Sequence, residues 1–148
     1  MTIPISLESI LIIKDSAHLI TSNDTLITQR MYKILFSKYP HVKEIFKNAP
    51  EDQYMRLAEI LSAYAVNIDK IDRLRPALEV IAKIHTRVNI KEAHYPMIGI
   101  VLMQAIEDIL GDKANIEFMD AWREAFQLIA SILISMEKKI YARKALLN

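Results

Sequence analysis

The sequence predicts an all-α protein of six to eight helices. Three observations carry this. Apolar residues recur at helical spacing along almost the whole chain, and no strand alternation persists. Only two glycines, Gly99 and Gly111, and five prolines punctuate the 148 residues. The intervals between breaks are unequal, which argues against a plain bundle of four equal helices joined by short loops.

A first helix is expected after Pro4, N-capped by Ser6 and burying Leu7, Ile10, Leu11 and Ile13. A second begins near Asn23 and Asp24 and ends before Pro40, with Leu26, Ile27, Met31, Ile34 and Leu35 as its apolar set. "PHVKEIF" then reads as a very short helix with Pro40 at the favoured first position. Pro50, Glu51 and Asp52 resemble the acidic first turn of a long helix that buries Met55, Ala58, Leu61, Ala65 and Ile68. Residues 69–72 end it. Pro76 lies in the first turn of the next helix, whose apolar face holds Leu78, Ile81, Ile84 and His85. Another runs from near His94 to Gly111, a C′ glycine, and the last starts near Asn115 and runs to the C-terminal residues.

Length and composition predict one domain over residues 1–148, with 52% hydrophobic and 25% charged residues. The formal net charge of +1 offers no global field to draw nucleic acid or an anionic membrane, so neither is an expected partner. Lys138, Lys139, Arg143 and Lys144 form the only basic cluster. They complement the end of a helix dipole, and docking of a partner is the alternative reading. With no cysteine, the chain has no disulfides, thiolate metal sites, cysteine nucleophiles or covalent c-type haem attachment. The N-terminus makes a poor signal peptide, and the apolar run over residues 126–136 is too short to span a bilayer, so a cytoplasmic location is expected.

Catalytic patterns are sparse. There is no Gly-rich phosphate loop and no His-Glu-x-x-His pair. The carboxylates Glu51, Asp52, Asp69 and Asp72 sit at helix ends, where capping explains them. Four histidines remain: His18, His41, His85 and His94. His85 stands one turn after Ile81 on the same apolar face. Such a residue is either a hydrogen-bonded core histidine or a ligand. A flat macrocycle with a single axial imidazole is the ligation for which one buried histidine suffices.

Residues 83–99, "KIHTRVNIKEAHYPMIG", resemble the proximal region of the bacterial flavohaemoglobin and single-domain haemoglobin family, in which Lys-x-His is followed by "HYP-x-x-G". "MYKILFSKYPHVKEIF", "DQ" with Leu57 four residues on, and "MEKKIY" resemble further parts of that family, in the same order. The resemblance covers nearly the whole chain and implies a globin fold stacked around a haem b pocket, which the unequal helices suit. It implies that His85 is the proximal iron ligand, that Phe46 packs on the haem face, and that Leu57 is an apolar distal residue. Tyr32 and Gln53 match the distal polar pair, and Tyr95 and Glu137 match the pair that approaches the proximal imidazole. Read without the resemblance, Tyr32 is a half-buried tyrosine, Phe46 an ordinary core aromatic and Leu57 a core leucine. Gln53 is a solvent-facing first-turn residue and Glu137 a surface residue beside Lys138. Two departures stand out. "NAPEDQ" is shorter than the corresponding link in relatives, and Phe126 stands where relatives often have tyrosine. The family's C-terminal flavin and NAD modules are absent from this sequence.

The leading expectation is therefore a haem protein that takes oxygen, nitric oxide and carbon monoxide as ligands. As its relatives do, it would convert nitric oxide to nitrate, here with a separate flavin reductase. The alternatives are an oxygen storage, delivery or sensing protein, and a helical domain that acts by protein contacts without haem. A second copy of the chain is a further candidate partner.

Overall fold

A computed structural model describes residues 4–147. These hold seven α-helices: α1 (Leu7–Asp15), α2 (Ala17–Thr21), α3 (Asp24–Lys38), α4 (Gln53–Val66), α5 (Arg75–Arg87), α6 (His94–Leu110) and α7 (Ile116–Leu147). Short 3₁₀ segments occupy Pro40–Phe46, Ile71–Leu74 and Gly111–Lys113, and no strand occurs among the described residues. The all-α prediction and its unequal helices hold.

Local chemistry explains most boundaries. Ser6 Oγ accepts from the Ser9 N–H, as an N-cap should. Pro40 occupies the first turn of its 3₁₀ segment and Pro76 that of α5. Gly111 ends α6 with φ 58° and ψ −132°, a conformation that costs a side-chain-bearing residue strain. Pro50–Asp52, expected to open a helix, form a turn before it. α4 begins at Gln53, and the Asp52 carbonyl accepts from the Met55 N–H at 2.9 Å.

α3 packs on α4 and α6, α1 and α5 pack on α7, and α2 packs on α4. The larger core cluster includes Ile13, Ile27, Met31, Leu35, Tyr64, Val101, Ile106 and Trp122, and a smaller one joins Leu78, Ala82, Tyr95, Ala130 and Leu133. Several expected core residues lie outside. Leu7 and Leu11 are exposed because α1 turns Ser9 and Ile13 inward, where Ser9 Oγ donates to Glu124 of α7. Leu26 is exposed because α3 buries Thr28 instead, whose hydroxyl donates to the Tyr54 carbonyl at 2.7 Å. Met55, on the first turn of α4, is exposed as well.

α4 and α5 are not packed against each other along their length. α5 leaves an apolar stripe uncovered: Val80, Ile84 and Val88 are 55%, 47% and 38% exposed at four-residue spacing. Ile84 was expected in the core. It lies on the side of α5 that neither α7 nor α4 covers.

Candidate functional site

Two groups of predicted residues assemble. The first is proximal to α5. His85 Nδ1 lies 3.0 Å from Glu137 Oε2 and 3.1 Å from Tyr95 Oη. Tyr95 Oη in turn donates to the Glu137 carboxylate, 2.7 and 2.9 Å from its two oxygens. An ionised carboxylate only accepts, so the proton on the imidazole sits at Nδ1, shared between Glu137 and the tyrosine oxygen. Three helices supply the trio: His85 from α5, Tyr95 from the first turn of α6, and Glu137 from α7.

Glu137 is buried at 3% exposure, and Tyr95 at 8%. A carboxylate there needs donors, and the imidazole and phenol provide them. Burial, then the hydrogen bond to Glu137 and its charge, push the Tyr95 hydroxyl far above the usual phenol range. It therefore stays a donor. His85 itself is a quarter exposed, and Nε2 receives no hydrogen bond from any described residue. One imidazole nitrogen is fixed by the protein while the other, carrying the lone pair, is open. A core histidine would use both.

The second group is distal. Tyr32 of α3, Phe46 at the end of the 3₁₀ segment and Gln53 at the start of α4 line one cleft of about 630 Å³. The ring of Tyr32 meets that of Phe46 edge-on at 5.5 Å, and Phe36 completes the cluster at 5.8 and 5.5 Å from the two. Burial pushes the Tyr32 hydroxyl up to about 12, with Gln53 beside it pulling the other way. The short "NAPEDQ" link thus still delivers Gln53 to Tyr32. Leu57 follows Gln53 by one turn of α4 and packs against the larger core. Neither Leu57 nor His85 lines the distal cleft.

Phe126 stands outside both groups, against Gly99, and joins no hydrogen-bond network. Two residues of the site were missed from the sequence. Phe36 could have been found as the apolar residue one turn after Tyr32. Tyr141, one turn after Glu137 on α7, donates to the Ile90 carbonyl at 2.6 Å and pins the link after α5 onto α7.

The residues fit a haem group. An open imidazole nitrogen faces no protein partner, the apolar stripe of α5 beside it is uncovered, and α4 and α5 stand apart. No cluster of three or more metal-binding side chains competes for a metal among the described residues. No helix among them is long and apolar enough to cross a membrane.

Comparison with known proteins gives consistent results. The family model described as Globin matches residues 29–133. An uncharacterized globin-like protein of Aquifex aeolicus is 43% identical over 139 residues, covering 94% of this chain and 99% of that protein. A flavohemoprotein of Halalkalibacterium halodurans is 35% identical over 143 residues. The match covers 95% of this chain, which spans only 35% of that relative's length. Among solved structures, an engineered carbene transferase, described as a candidate nitric oxide dioxygenase from Rhodothermus marinus, superposes with a TM-score of 0.92. It is 30% identical and covers 96% of this chain and 99% of its own.

Proposed function

The chain belongs to the globin family, and from that premise we propose that it holds haem b, binds oxygen and supports conversion of nitric oxide to nitrate. One observation carries the reading: the His85–Glu137–Tyr95 arrangement, which fixes one imidazole nitrogen and leaves the other open. When bound, haem supplies the iron that holds oxygen and the single electron that its reaction with nitric oxide consumes.

The chain's own residues do the rest. His85 would hold the haem iron through Nε2, the nitrogen that Glu137 and Tyr95 leave open. Glu137 fixes the tautomer and raises the basicity of the ring, which favours oxygen activation over simple storage. Tyr32 stays protonated, with Gln53 beside it, and would donate its hydroxyl to a ligand held in the cleft. Phe46 and Leu57 supply apolar walls. Nitrate formation converts three electrons from nitric oxide and one from iron into the four that oxygen takes up. Each turnover therefore requires one electron from a donor, for which a flavin reductase is suited. The similarity to a flavohemoprotein and to a candidate nitric oxide dioxygenase supports this reading.

The test has two stages. The reduced protein should show a haem spectrum that shifts with carbon monoxide. With a flavin reductase supplied, it should then form nitrate over many turnovers. A single turnover is a weak result, since oxygen-binding globins in general can perform it. If reduction stays slower than autoxidation with every reductase tried, the enzymatic reading fails and an oxygen-binding role replaces it.

A further inference from the structure

The link after α5 and the last turns of α7 share one face on which three lysines gather around Tyr141. Lys91 Nζ sits 4.2 Å from the centroid of the Tyr141 ring, and Lys144 Nζ sits 6.0 Å from the same ring. Lys138 lies beside them, 3.2 Å from Glu92, which is itself 62% exposed. Lys139 and Arg143 lie two residues either side of Tyr141 and so belong to the opposite side of α7, and no acidic residue follows Glu137 in the sequence. Three cations against Glu92, in a chain whose total is +1, leave a net charge of −1 elsewhere. The helix dipole accounts for cations in the last turn of α7. It does not account for Lys91, which belongs to another segment and is held against the same ring.

The position of this face matters as much as its charge. Ile90, Lys91, Glu92, Lys138 and Tyr141 border a small hollow of about 70 Å³, and Glu137 also lines it. The other side of the Glu137 carboxylate holds His85 Nδ1 at 3.0 Å. One side chain thus separates the basic surface from the proximal imidazole.

We propose that the face formed by Lys91, Lys138 and Lys144 around Tyr141 is the docking site for the acidic surface of an electron-donating flavoprotein. The proposal rests on the functional reading above only in that it needs a haem to reduce. Clustered ammonium groups attract an oppositely charged protein and steer its approach. A donor held here would lie one side chain, Glu137, away from His85, the residue that would hold the haem. An anionic membrane or a nucleic acid would also meet the charge, but neither explains why the patch sits over the proximal trio.

The experiment uses the haem-loaded protein and reduced flavodoxin, an acidic flavin protein, as probe. The variant is Lys91→Glu with Lys144→Glu. The control is Lys70→Glu with Lys113→Glu, which alters the net charge equally at other places. Binding is followed by titration calorimetry and haem reduction by stopped flow, each at low and high salt. At low salt the patch variant should bind and be reduced roughly tenfold more slowly or weakly than wild type. The control should change less than twofold, and high salt should erase the difference. Reduction by dithionite should be unchanged in the variant, showing that the proximal site is intact. Equal losses in both variants, or no loss in the patch variant, overturn the proposal. So does tighter binding of phosphatidylglycerol vesicles or single-stranded DNA to the same lysines. Docking that passes these tests without sustained nitrate formation would sink the enzymatic reading alone. Sustained nitrate formation indifferent to the lysines would sink this proposal alone.

Discussion

Glu137 shows how the meaning of a single residue depends on where the fold puts it. In sequence it stands beside two lysines on an amphipathic helix and reads as solvated. In the structure it is buried and accepts from both His85 and Tyr95. Periodicity could not reveal this, because the partners lie 52 and 42 positions away. Family resemblance supplied the pairing, and geometry supplies its chemistry. Glu137→Gln keeps the shape and an acceptor oxygen but removes the charge, so haem should be retained. The imidazole becomes a poorer electron donor, so the reduction potential should rise and nitrate turnover should fall by about tenfold or more. An unchanged potential would show that Glu137 only positions the ring. Tyr32 gives a second test. A hydrogen bond to a charged group contributes roughly 1.5–3 kcal/mol. Tyr32→Phe should therefore speed oxygen release by about tenfold, since about 1.4 kcal/mol is one decade, with little change for carbon monoxide. Because burial holds the hydroxyl near 12, the proton stays in place below that value. The oxygen release rate of the wild type should be flat with pH from neutrality to about 10.

At the scale of elements, breaks and caps were easier to read than faces. Ser6, Pro40, Pro76 and Gly111 fix boundaries through backbone chemistry that is local, and the structure places each as expected. Which way a helix turns is set by its neighbours. α1 rotates toward Glu124 and exposes Leu7 and Leu11, and α5 exposes Ile84 toward the side that α4 does not cover. No pattern within either helix could announce that. The same dependence makes the α6–α7 crossing testable. A Cβ on Gly99 would lie 2.8 Å from Phe126 Cε2, closer than ordinary contact allows. Gly99→Ala should lower stability by about 1–3 kcal/mol, as overpacking does. Adding Phe126→Leu should restore part of the loss, measured by urea denaturation. Full additivity of the two changes would show that the ring simply moves aside.

At the scale of the whole molecule, stability and function meet in the space between α4 and α5. The two halves of the site sit on different supports. The distal residues belong to α3, α4 and the segment between them, while the proximal trio ties α5 to α6 and α7. Little direct packing joins α4 to α5, and the stripe of Val80, Ile84 and Val88 is left uncovered. An apolar ligand bound to His85 would cover that stripe and bridge the halves. A ligand that binds only the folded state stabilises it in proportion to the logarithm of its concentration over Kd, about 4.1 kcal/mol at a thousandfold excess. The gain should also be local. On adding haem to the apo-protein, amide exchange should slow most in α4 and α5, which pack little against each other. It should change little in α1 and the part of α7 it packs against, which are already joined through Ser9 and Glu124. His85→Ala should lose most of the haem-induced rise in Tm and most of this protection, while its apo form melts close to wild-type apo-protein. Protection spread evenly over all helices would mean that haem merely shifts global unfolding. A His85→Ala variant that keeps the full rise in Tm would remove His85 from the ligand role, and His94 would become the next candidate.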